Sequence, residues 1–151
     1  MSVYCLTATR KLLLTLKLFQ GLSETDLASL LEHAELIDVE GGEYVIREGE
    51  QGHEIFILIG GQVDICKRSN GVQKVIRKLG LGECFGEMSL IECRSRSASV
   101  RATVTCKLLR IEGDQIARMP DLAFKIYRNI AILLSQRLRH ANEILALSKA
   151  N

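Results

Sequence analysis

Hydrophobic positions change their period twice along this chain. Near the start they fall at helical spacing: Leu12, Leu16 and Phe19 recur at steps of four and three, and Gly21 ends the run. Ser23 follows as an N-cap whose hydroxyl can accept from the Asp26 N–H, with Leu22 and Leu27 placed as a hydrophobic staple. The short helix so begun is expected to reach about His33 and to bury Leu27, Leu30 and Leu31. Between residues 36 and 111 the pattern becomes short β-branched runs, at 36–39, 44–46, 55–59, 63–65, 72–76, 98–105 and 108–111. Glycine-rich turns separate them, and Ser69-Asn70-Gly71 reads as a hairpin because Asn and Gly tolerate positive φ. Many short strands about ten residues apart predict an antiparallel sandwich or barrel.

Helical spacing then returns. Asp114 is the expected N-cap of a short helix ending at Met119, and Pro120 stops it and opens a longer helix from about Asp121 to Leu147. Its apolar seam reads Ile126 or Tyr127, Ile130, Leu134, Leu138, Ala141, Leu145. A helix of that length outruns a small barrel, so part of it must pack on a pocket mouth or on a second copy of the chain.

One interval breaks the strand pattern, between Gly82 and Val100. Phe85-Gly86-Glu87-Met88-Ser89-Leu90 can form a single helical turn whose first N–H groups are unpaired, a natural anion site, and Gly86 has no Cβ to hold an oxyanion off. Arg96 can return to the same place with two parallel donors for a phosphate. Glu87 is anomalous beside an anion unless it accepts from a sugar hydroxyl.

Phe85-Gly86-Glu87-x-x-Leu90 followed by Arg96-Ser97-Ala98-Ser99-Val100 resembles the phosphate-binding cassette of the cyclic nucleotide-binding domain family. Residues 18–23, 42–50 and 55–63, and the proline before the last helix, resemble that family's first helices, early strands and terminal helix. The resemblance implies an α+β, mainly β fold: an antiparallel jelly-roll barrel with N-terminal helices, a short cassette helix and a long C-terminal helix. It divides one domain, 1–151, into helices at 1–34, a barrel at 35–113 with the cassette at 82–100, and helices at 114–151.

It further implies that Arg96 pairs with a cyclic phosphate, that Glu87 holds the ribose 2′-hydroxyl, and that Gly86 lines the sugar–phosphate. Phe85, Met88, Ser89, Ser97 and Ala98 complete the expected ligand contacts, and on the long helix Arg137, Leu138 and Ala141 are the lid candidates. Ser89 stands where Ala or Gly is common, and His53 where Asp is common. The expected ligand is cAMP rather than cGMP, on family frequency. The alternative is a non-enzymatic interaction or dimerisation domain of the same fold whose pocket is unused or takes another ligand.

Composition narrows the partners. Net charge is +2, too small for nucleic acid or anionic membrane to be the main partner, so no direct DNA binding and no membrane contact are expected. His33, His53 and His140 are scattered, which leaves no metal site, no cofactor and no cupin-like enzyme in view. The five cysteines, Cys5, Cys66, Cys84, Cys93 and Cys106, lack C-x-x-C spacing and read as free thiols in a reducing cytoplasm. The expected partners are a cyclic mononucleotide, a second copy through the C-terminal helix, and an effector domain in a larger protein or on a separate one.

Overall fold

The computed structural model describes residues 3–150, with side chains from residue 9. Helix α1 (Val3–Leu14) is followed by a 3-10 turn (Lys17–Phe19), and α2 (Glu24–Leu31) precedes the strands. The expected continuous run through Leu12, Leu16 and Phe19 is therefore two elements. Leu16 is extended at ψ 143°, and the Thr15 hydroxyl donates to the Leu12 carbonyl where the helix stops. The break turns Leu13, Leu18 and Phe19 into the core and leaves Leu12 and Leu16 half-buried. Ser23 caps α2 as expected, and Asp26 returns the bond to the Ser23 N–H, which completes a capping box.

Eight strands follow: β1 (Ala34–Val39), β2 (Tyr44–Ile46), β3 (Glu54–Gly60), β4 (Val63–Ser69), β5 (Val72–Leu79), β6 (Cys84–Phe85), β7 (Ser99–Ala102) and β8 (Cys106–Glu112). They form two antiparallel four-stranded sheets, ordered β1-β8-β3-β6 and β2-β7-β4-β5, which is the expected jelly roll. The β4–β5 hairpin turns on Asn70 (φ 51°) and Gly71 (φ 76°). Two expectations shift: the run at 98–105 is strand only over Ser99–Ala102, and the two-residue β6 has no sequence signal of its own. Helix also outweighs strand, 41% against 31%, so α+β fits and "mainly β" overstates the sheets.

The continuous apolar run of β3 is explained by burial on both faces. Ile55 and Ile57 face a core shared with Leu13, Phe19, Leu27, Leu30 and Ile126, whereas Phe56 and Leu58 face the barrel interior with Val63, Leu79, Phe85, Val100 and Leu108. Strand β8 divides likewise, Leu109 and Ile111 toward the helices and Leu108 toward the barrel.

Between β6 and β7 lies α3 (Glu87–Glu92), and after β8 come α4 (Gly113–Ala117) and α5 (Pro120–Lys149). Asp114 is not an N-cap but lies in the first turn of α4, because β8 runs on to Glu112. Pro120 opens α5 as its first residue. Asn129, itself buried, donates to the carbonyls of Leu18 (2.7 Å) and Gln20 (2.9 Å), and Lys125 pairs with Asp26 at 2.7 Å. These bonds fix the first third of α5 against the N-terminal turn. The expected seam then divides: Ile126 and Ile130 are buried, Leu134 is half-buried, and Leu138, Ala141 and Leu145 are exposed.

Candidate functional site

The cassette begins on a buried stack. Phe85 lies parallel to Phe56 across the β3–β6 pair, with centroids 5.2 Å apart and 11° between planes. Gly86 then turns the chain at φ +84° and becomes the N-cap of α3. Space as well as φ requires glycine there: a Cβ would lie 2.8 Å from the Glu54 carbonyl and 3.0 Å from Arg96 Nη1.

A cavity of about 140 Å³ opens between α3 and the strands, and among the residues lining it are Phe85, Gly86, Glu87, Met88, Ser89, Arg96, Ser97, Ala98 and Arg137. The structure thus brings together every expected contact on the cassette and one of the three lid candidates. Leu138 and Ala141 do not line this cavity. Leu138 is 63% exposed, and Ala141 lines a larger cleft of about 730 Å³, together with Leu16, Arg77, Leu81 and Ile144. Arg137 borders both spaces.

Two charged side chains in the cavity wall are almost wholly out of water, Glu87 at 4% exposed and Arg96 at 6%. Burying a charge is costly unless it is paired and hydrogen-bonded, and both are. Glu87 accepts from Arg137 Nη1, while Arg137 Nη2 donates to the Cys84 carbonyl at 3.0 Å. Arg137 is therefore no solvated arginine but a tie from α5 to the cassette. Arg96 Nη1 donates to the carbonyls of Glu54 and Gly86, 3.1 Å each, and its Nη2 to Glu54 Oε2 at 2.8 Å. Burial pulls the Arg96 guanidinium below its ordinary range, and the Glu54 carboxylate opposes that pull.

The remaining candidates are plainer. Ser97 is exposed and its hydroxyl contacts the Met88 sulfur at 3.6 Å, whereas Ser99 is buried and accepts from the Glu48 N–H at 2.9 Å, a structural bond. Arg94 is exposed. Cys84 is buried, and its thiol is pushed up to about 12 by that burial and by the neighbouring Glu87. Cys93 is exposed at the end of α3, and the side chain of Cys5 lies outside the described residues. Among the described residues no group of three His, Cys, Asp or Glu side chains is placed to hold a metal ion, and no helix is long and apolar enough to cross a membrane.

Sequence reasoning passed over Glu54 and Arg110. Glu54 precedes Phe56 and Leu58 on the barrel face of β3, and Arg110 follows Leu108 on the same face of β8. A charge that continues an apolar face must find a partner, and that alternation was the available signal.

Residues 36–121 match the profile of the cyclic nucleotide-binding domain. A cAMP-dependent protein kinase regulatory subunit from Mycosarcoma maydis is 33% identical over 133 residues, 88% of this chain but only 24% of that protein. The crystal structure of a cyclic nucleotide-binding domain from Methylobacillus flagellatus superposes with a TM-score of 0.80 at 26% identity, covering 90% of this chain and 79% of that one. The regulatory domain of Toxoplasma gondii PKA with cAMP gives a TM-score of 0.73 at 25% identity, over 78% of this chain and 45% of that one.

Proposed function

This chain belongs to the cyclic nucleotide-binding domain family, and from that premise we propose that it is a regulatory sensor domain whose ligand is cAMP in preference to cGMP. One observation carries the reading. A buried guanidinium and a buried carboxylate line one cavity, each held by another residue rather than by the other. Arg96 suits a cyclic phosphate, and Glu87, acceptor-only when ionised, suits a ribose hydroxyl. The relatives named for cAMP support the choice of purine. The reading is of binding without catalysis.

At about 140 Å³ the cavity is below the usual range of roughly 300–1,000 Å³ for small-molecule pockets. A nucleotide needs more room, and Arg137 is the wall that can yield, since it belongs to α5 rather than to the barrel. Ribose binding to Glu87 then competes with Arg137, so ligand and α5 position are linked through one carboxylate. The signal leaves through α5, to an effector domain or a separate partner. Beyond Leu134, α5 exposes Leu138, Ile144, Leu145 and Leu147, which favours a second copy of the chain packing along it. Sedimentation that shows only monomer at high concentration counts against that copy.

The test is thermal unfolding with cAMP, cGMP and linear AMP, on wild type and Arg96→Ala. A ligand at about 100 times its Kd adds about 2.7 kcal/mol of stability, and the upward shift in Tm should appear with cAMP and vanish or shrink greatly in Arg96→Ala. Absence of any shift with a cyclic mononucleotide removes the reading.

A further inference from the structure

Arg96 does not present a free fork to the cavity. Of the five N–H donors of a guanidinium, those on Nη1 serve the Glu54 and Gly86 carbonyls, and one on Nη2 serves Glu54 Oε2. The edge formed by Nε and Nη2 is pressed by backbone: a Cβ on Gly52 would lie 2.5 Å from both atoms. A phosphate therefore reaches Arg96 by taking donors that Glu54 now holds.

Glu54 has a second cation. Its Oε1 accepts from Arg110 Nη2 at 3.0 Å, and Arg110 also binds Glu35 (3.0 Å) and Glu112 (2.6 Å). Two guanidinium charges thus face three carboxylates, and the cluster is satisfied with an excess of negative charge. Adding an anion at Arg96 while Glu54 keeps its place sets like charges within a few ångströms in a partly buried site. Arg110 provides the way out, since it can retain the Glu54 carboxylate when Arg96 turns from it.

We infer that Glu54 is a built-in competitor for Arg96, displaced by an incoming phosphodiester, and that Arg110 holds the displaced carboxylate. The inference rests on the reading of Arg96 as the phosphate donor. Glu54 and Arg110 are then positioning residues that set the affinity of the site without contributing to its ligand contacts.

The test is a double-mutant cycle on cAMP affinity by calorimetry, in wild type, E54Q, R110M and the double variant, with each fold checked by its cooperative melt. E54Q should bind roughly tenfold more tightly, about the worth of one charged hydrogen bond that no longer has to be broken. R110M should bind several-fold more weakly, because Glu54 is left to Arg96 alone, and should have no further effect in E54Q. A purely structural role for Glu54 gives the opposite sign, since loosening Arg96 costs affinity. E54Q binding at or below wild-type affinity overturns the inference. If E54Q does not fold, R110M decides: weaker binding supports, unchanged or tighter binding overturns. If wild type binds no cyclic nucleotide, the functional reading is what fails. The competition is then read with inorganic phosphate on the Arg96 side-chain N–H resonance: a lower midpoint in E54Q than in wild type supports it, and an equal or higher midpoint, or no response, overturns it.

Discussion

Two ion pairs flank the cassette, and what each is attached to sets them apart. Arg96–Glu54 lies wholly within the barrel. Its backbone is pinned as well, the Arg96 N–H to the Glu50 carbonyl at 2.8 Å and the Gly49 N–H to the Arg96 carbonyl at 2.9 Å, and Arg110 backs the carboxylate. Glu87–Arg137 instead joins the barrel to a helix that has already left the core. Among the described residues beyond Leu134, Arg137 is the one side chain of α5 that is not exposed. Two contacts of the same chemical kind thus have different consequences. Breaking the first leaves Glu54 to Arg110 and two carbonyls without a donor inside a rigid sheet; breaking the second takes the partner from Glu87 but frees a rod that can let water reach it.

The largest effect should come from attacking the first pair. Arg96→Met leaves Glu54 to Arg110 alone and two carbonyls without a donor, and should cost about 2–5 kcal/mol in urea unfolding. Arg137→Met takes the partner from the buried Glu87 carboxylate, but α5 can move off and let water reach it, so the cost should be smaller, about 1 kcal/mol; equal losses in the two variants would erase the distinction. Next comes the anchor that keeps the near part of α5 fixed. Asn129→Ala leaves two carbonyls unpaired near the core, worth about 1–3 kcal/mol of unfolding free energy.

A smaller effect concerns the helix alone. Arg137→Met should speed amide exchange between residues 135 and 149 while leaving the barrel strands as protected as before. Faster exchange throughout the chain would mean that the pair belongs to the scaffold after all.

The smallest effect is on pH dependence. Burial alone would raise the Glu54 carboxyl, but hydrogen bonds from Arg110 and the His53 N–H, with the Arg96 charge, hold it below its ordinary 4.5. The unfolded chain then binds the extra proton, so this stability is complete above pH 4.5 and is lost as pH falls below it. Urea midpoints at pH 7 and pH 3.5 should fall less steeply in E54Q than in wild type.

Much of this was legible in residue order. The N-cap at Ser23, the Asn70-Gly71 hairpin, Pro120 at the head of α5 and the glycine before the cassette helix are local devices, and local devices can be read from a few neighbours. What escaped depends on distant partners. Nothing near Leu16 announces that the helix must end to turn Leu13 and Phe19 into one core. Strand β6 exists because Phe85 and Cys84 meet Phe56 and Ile57, about 28 residues away. Glu54 and Arg110 are 56 residues apart, and the Glu87–Arg137 tie spans 50, so neither could be read from spacing. The cassette showed which side chains carry charge, and the fold shows which partners hold them.

The length of α5 gives it mechanical leverage. Ile130 is its last fully buried residue, and Arg137 stands seven residues further out, roughly 10 Å at 1.5 Å per residue, with the end of the helix at Lys149 roughly 28 Å out. A tilt of about 10° around Ile130 moves Arg137 by roughly 2 Å, enough to undo a hydrogen bond, and swings the far end by roughly 5 Å. A rigid rod pivoting at Ile130 would carry a displacement at Arg137 to Lys149 nearly threefold enlarged.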